Sequence, residues 1–185
     1  MPNRRLPLAA IALVALFVWG GRPAQAQTTW SSIVSGNFTW ETTSAWNQGT
    51  VPDAVGGIVT INANAAGTRT VTIGTNHTIA SLSAGRGGGN ATRMYIFQGA
   101  GVLTLDNTGF SGKPYVGQNS SFGYQEYPIV FAGSQGVRFG GGATMVVTGN
   151  NPFTGAVEFN RSPTRIGHTN ALPHAVDRVV VASDY

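Results

Sequence analysis

After residue 27 the apolar residues of this sequence never extend into a helix-long stripe; they come in runs of three or four, alternating with polar residues and closed by Gly or Asn. The runs are Val59–Ile61, Val71–Ile73, Ile79–Leu82, Met94–Phe97, Val102–Leu105, Ile129–Phe131, Val137–Phe139, Met145–Val147, Val157–Phe159 and Val179–Val181, with Tyr115-Val116 and Arg165-Ile166 as weaker members. Alternation over so short a span puts every second side chain on one face of a strand, so the apolar ones enter a core and the polar ones face out. A helix needs one face filled every three to four residues over several turns, and Gly, Asn and β-branched residues interrupt every window where that could happen. The chain is therefore expected to be all-β.

The spacing of the runs narrows the architecture. Counting the weak members from Val116 and Ile166, two consecutive gaps mostly sum to 20 to 23 residues. A recurring sum of that size predicts a parallel β-solenoid, in which each repeat lays its strands on those of the repeat before. Composition agrees: charged residues are 10% of the chain, against about 25% in an ordinary domain, and there are 26 glycines. In a solenoid, outward Thr and Asn stack on like residues, while Gly or Asn takes the corners that need positive φ. The alternative is an antiparallel β-sandwich, for which short regular strands are equally expected. Two-residue Asn-Gly hairpin turns would support it, and the sequence has none. The stretch Asn107 to Pro128, with Phe110, Tyr115, Phe122, Tyr124 and Tyr127, reads as a loop excursion, either a binding lip or a cover for an exposed sheet.

Residues 1–26 read as a secretory signal: Arg4 and Arg5 supply the positive start, an apolar stretch runs from Leu6 to Trp19, and Ala24-Gln25-Ala26 fits small-x-small cleavage. The apolar stretch is shorter than the roughly 20 residues that cross a bilayer and contains Pro7, so the mature chain, from Gln27, is not expected to span a membrane. Arg4, Arg5 and Arg22 leave with the signal, and the net charge falls from +4 to +1. The remaining basic residues are scattered between Arg69 and Arg178, whereas a phosphate backbone needs them clustered; nucleic acid is not an expected partner. With no cysteine, packing and backbone hydrogen bonding alone must hold the exported chain. The expected domains are the signal 1–26, an N-terminal cap segment 27–58 and solenoid repeats 59–185.

Few residues have the pattern that chemistry requires. Trp30, Trp40 and Trp46 suit a cover over the open end of a first repeat, or else a platform for sugar rings. The carboxylates Glu41, Asp53, Asp106, Glu126, Glu158, Asp177 and Asp184 are isolated in sequence, and only folding could pair two, such as Asp106 with Glu126, as acid and base. His77, His168 and His174 lack metal-ligand spacing and have no acidic neighbour. Gly85-Arg86-Gly87-Gly88-Gly89 lacks the Lys-Ser/Thr of a phosphate loop and reads as a turn. Sequons at Asn37, Asn76, Asn90, Asn119 and Asn160 are unsurprising in a chain so rich in Asn and Thr. No catalytic, metal or cofactor residue is assigned.

Trp30, the block from Gly36-Asn37 to Trp46-Asn47, and Val51-Pro52 together resemble the start of bacterial proteins built from autotransporter-associated β-strand repeats. Further on, Gly149-Asn150-Asn151-Pro152-Phe153-Thr154-Gly155, followed by Ile166-Gly167-His168-Thr169-Asn170-Ala171-Leu172, is similar to that family's repeat element. The likeness covers nearly the whole mature chain. It implies a right-handed β-helix at or beyond the cell surface and no enzyme activity.

These readings converge on a non-enzymatic exported surface or extracellular protein, structural or adhesin-like, with no cofactor and with cell-surface glycans or matrix proteins as partners. A carbohydrate-binding or polysaccharide-degrading β-helix is the alternative. Val179 to Tyr185 ends the sequence on a strand without an aromatic cap, which predicts either a truncated gene product or end-to-end self-association through an uncapped C-terminal coil.

Overall fold

The computed structural model describes residues 26–30, 36–62, 67–85, 93–118, 123–172 and 179–182. The signal segment to residue 25, most of the glycine loop after Gly85, the sequons at Asn90 and Asn119, His174, Asp177 and the terminal residues 183–185 lie outside them. Among the described residues the chain is all-β, and its one helical element is a 3-10 turn at Thr43–Ala45. No helix there is long and apolar enough to cross a membrane.

The strands form three sheets. The seven-stranded sheet contains, side by side, β1 (Gln27–Trp30), β3 (Ile58–Ile61), β6 (Ser81–Ala84), β9 (Tyr115–Gln118), β12 (Val137–Gly140), β14 (Val157–Asn160) and β16 (Val179–Ala182). The six-stranded sheet contains β2 (Gly36–Thr39), β4 (Gly67–Thr72), β7 (Arg93–Gln98), β10 (Tyr124–Tyr127), β13 (Thr144–Val147) and β15 (Thr164–Ile166). The small sheet contains β5 (His77–Ile79), β8 (Val102–Leu105) and β11 (Val130–Ala132). Every pairing between these strands is parallel, unlike the antiparallel sandwich held as the alternative; among the described residues the one antiparallel contact is the isolated bridge Trp30↔Trp46.

Register follows from alternation. Thr28, Val59, Leu82, Val116, Phe139 and Phe159 form one inward row across the seven-stranded sheet. Phe38, Val71, Phe97, Tyr127 and Val147 form another across the six-stranded sheet. A one-residue slip would turn every such side chain to water, so burial of one face pins each strand. Like therefore lies on like: Phe97 stacks on Tyr127 at 5.2 Å and 9°, and Phe139 on Phe159 at 5.8 Å and 18°. Between strands the backbones come close enough to demand glycine. A Cβ on Gly99, whose φ is +132°, would lie 2.0 Å from the carbonyl oxygen of Ile73.

Two expectations are corrected. Asn107–Pro128 is not a loop excursion, because β9 lies in the middle of the seven-stranded sheet and β10 within the six-stranded one. The run Ile79–Leu82 is not one strand: it breaks at Ala80, sending Ile79 to the small sheet and Leu82 to the seven-stranded sheet. The corner is tied by Gly57, whose carbonyl accepts from the amides of Ala80 (2.8 Å) and Ser81 (3.0 Å).

Candidate functional site

The tryptophans do not form a platform. Trp30, Trp40 and Trp46 are buried and meet edge to face, at 4.7 Å between Trp30 and Trp46 and 4.9 Å between Trp40 and Trp46, so none offers a face to a sugar. Trp46 Nε1 donates to the Trp40 carbonyl at 2.8 Å. The residues just after Trp46 cover the outer edge of β1: the Thr29 amide donates to Asn47 Oδ1, and the Asn47 amide donates to the Thr29 carbonyl, both at 2.9 Å. A sheet edge covered in this way cannot recruit a foreign strand.

Beside this cluster the fold assembles a group that the sequence spacing did not indicate. His77, on β5, lies with Nε2 3.3 Å from Glu41 Oε1 and Nδ1 3.5 Å from Asp53 Oδ2, its ring tilted over Trp40 at 6.1 Å. The carboxylates address opposite ring nitrogens, which suits a clamped imidazole and not a shared metal ion. Among the described residues no set of three His, Asp or Glu side chains could hold a metal. Thr75 Oγ1, 3.1 Å from Nε2, completes a hydroxyl–imidazole–carboxylate line with His77 and Asp53. Glu41 Oε1, however, accepts from the amides of Gly74 (2.8 Å) and Thr75 (2.9 Å) and from the Thr75 hydroxyl (3.3 Å). The chain's own carboxylate thus accepts from both amides and the hydroxyl.

Burial raises the Glu41 pKa, but the bonds from the Thr75, Glu41 and Gly74 amides and from His77 outweigh it and hold the carboxyl below its ordinary 4.5. A carboxylate depressed in the folded chain adds stability that is fully present above its unfolded value and lost as pH falls through the folded one. The unfolding midpoint should therefore fall as pH drops below 4.5. The fall should be shallower in Glu41→Gln, as read by tryptophan fluorescence; equal slopes would contradict the clamp.

The other acidic candidates stay apart. Asp106 Oδ1 accepts from the Thr108 amide (2.8 Å) and from Gln135 Nε2 (3.3 Å) beside the small sheet, while Glu126 accepts from the Tyr124 hydroxyl (2.8 Å) on the six-stranded sheet. The structure does not pair Asp106 with Glu126.

One outer face does present an arrangement suited to contact. Tyr115 faces outward on β9, and its ring runs along the strand until its hydroxyl donates to the Gln118 carbonyl at 3.3 Å. Beneath it lie Gly117 and its register partner Gly140: a Cβ on Gly117 would be 2.3 Å from the Tyr115 hydroxyl oxygen, and one on Gly140 would be 2.9 Å from the ring edge. The two glycines let the ring lie flat. Its lateral neighbours are Ser81 on one side and Arg138 on the other, with Glu158 beyond Arg138. Glu158 takes Lys113 Nζ at 2.8 Å on one oxygen and Arg138 Nε at 2.9 Å on the other, and Lys113 first, then Arg138, holds its carboxyl below the ordinary range. Burial pushes the Tyr115 hydroxyl pKa up, against the pull of Arg138. The face thus sets a flat ring beside two cations and one carboxylate. The sequence reading counted Tyr115-Val116 only as a weak run and placed Tyr115 in an excursion, so the flat face on β9 was not foreseen. The signal lay in Gly117 and Gly140, each two residues beyond an outward side chain.

The chain matches no protein-family model, no curated protein and no solved structure.

Proposed function

We propose that this is a non-enzymatic exported protein of the cell surface or extracellular matrix, structural or adhesin-like, built as a right-handed parallel β-helix. The observation that supports the reading is the succession of parallel strands in three sheets, in which buried and outward side chains alternate. Parallel sheets are ordinarily covered by helices on both sides and read as unbroken apolar runs. Here alternation persists, as in β3 and β8, and the described residues include no α-helix to cover either face. Successive coils stacked on one another reconcile the two, since each sheet then has one face inward and one to water. Right-handed crossover is the hand that twisted parallel strands favour.

Such a rod needs no reaction centre, and its broad flat flanks suit adhesion. Residues 1–26 direct export. The test is to incubate the exported chain with bacterial cell surfaces and a panel of polysaccharides. Retention without new chain ends is expected, whereas turnover that disappears in Asp106→Ala would contradict the reading.

A further inference from the structure

We infer that the Tyr115 face is a binding subsite for an acidic saccharide, a pyranose carrying a carboxylate; the inference rests on the contact role proposed above and names its partner class. β9 lies between β6 and β12, so its backbone groups are already paired on both sides. The ligand must use a face and not an edge, which excludes a peptide added as a strand. What the face offers is an aromatic ring lying flat on Gly117 and Gly140. The negative face of such a ring attracts the polarised C–H groups of a sugar.

Charge chooses among sugars. Arg138 is on the neighbouring strand, about 4.8 Å away, so a pyranose stacked on Tyr115 brings a ring substituent to the guanidinium. The Arg138 side chain is 46% exposed and spends only its Nε on Glu158, leaving its Nη groups without a partner among the described residues. Lys113 and Arg138 already hold one carboxylate between them, that of Glu158. Among the described residues, two cations against one anion leave a net positive patch that fits a second carboxylate and is too small for a phosphate backbone. Ser81 and Ser83, on β6, supply hydroxyls on the far side of the ring.

The experiment uses the full-length chain, exported and purified, with polygalacturonate as the probe and dextran and dextran sulfate as the other arms. Polygalacturonate should be retained and the binding should weaken with added salt. Arg138→Gln should lower affinity about tenfold, the effect of losing one charge-assisted hydrogen bond. Glu158→Gln should raise affinity, because it removes the carboxylate that competes for both cations. Tyr115→Ser should also lower it, but Tyr115 covers backbone, so the two charge variants, with unchanged melting, carry the decision. Equal retention of dextran or dextran sulfate, or indifference to both charge variants, overturns the subsite. If the charge variants change nothing while the chain still binds cells, only the subsite falls; if the wild type binds neither cells nor any polymer, the contact role falls with it.

Discussion

Replacing Phe97 with alanine should lower the folding free energy by about 3–5 kcal/mol. The ring has no exposed surface and lies between Val71 and Tyr127 in the inward row of the six-stranded sheet, stacked on Tyr127 at 5.2 Å. Its neighbours are held by their own ladders and cannot collapse into the space. The loss therefore combines transfer and cavity, and it removes a large share of the roughly 5–15 kcal/mol that holds an ordinary domain. Thr70, one residue before Val71 and facing out on β4, is the control: Thr70→Ala should change stability by no more than about 0.5 kcal/mol. Chemical denaturation of the two variants checks both figures. Comparable effects at both positions would mean that Phe97 is not in a packed interior.

The second large effect is expected at Asn151, a buried polar side chain in the link between β13 and β14. Its Oδ1 accepts from the Phe131 amide at 2.8 Å, and its Nδ2 donates to the Ala171 carbonyl at 3.0 Å, each partner 20 residues away. One side chain thus ties three successive passes of the chain. Asn151→Leu leaves a buried donor and a buried acceptor unmet, each costing about 1–3 kcal/mol. For a chain of this size the melting temperature should fall by at least about 5 °C. An unchanged midpoint in a thermal scan would remove Asn151 from the structural account.

Strands whose inward residues are all apolar were legible in the sequence. Val102-Leu-Thr-Leu and Val137-Arg-Phe correspond to β8 and β12, and the separation of 20 residues between Arg138 and Glu158 agrees with the summed spacing of the runs. β10 was hidden because its inward position Gln125 is polar. That side chain is buried only because Nε2 donates to the Ala84 carbonyl at 2.8 Å and Oε1 accepts from the Tyr127 hydroxyl, partners supplied by the fold. The division of β5 from β6 was hidden for another reason: they are separated by Ala80 alone, and an apolar residue at a corner reads as more strand. Grouping the runs in pairs therefore missed a third strand in the central repeats.

The sites were less legible than the fold. Glu41, Asp53 and His77 are far apart in sequence, and only the return of the chain past β5 brings both carboxylates to the imidazole. A long-range approach of that kind leaves no spacing to read. The Tyr115 face depends on Gly117 and Gly140 being neighbours, which the register decides. The buried indoles rule out only the sugar platform that was held beside a covering role, since their clustering in sequence reflects interior packing as readily as a surface.

The central claim is the parallel, in-register stacking of successive passes, and a pulsed electron resonance distance tests it most directly. The sequence has no cysteine, so Asn37→Cys with Arg165→Cys introduces two unique labelling sites. Both are exposed and stand at opposite ends of one outward row, Asn37, Thr70, Ile96, Glu126, Val146 and Arg165. Five inter-strand steps predict one narrow distribution centred on a backbone separation of about 24 Å. A broad distribution, or a narrow one far from that value, would contradict the stacked arrangement.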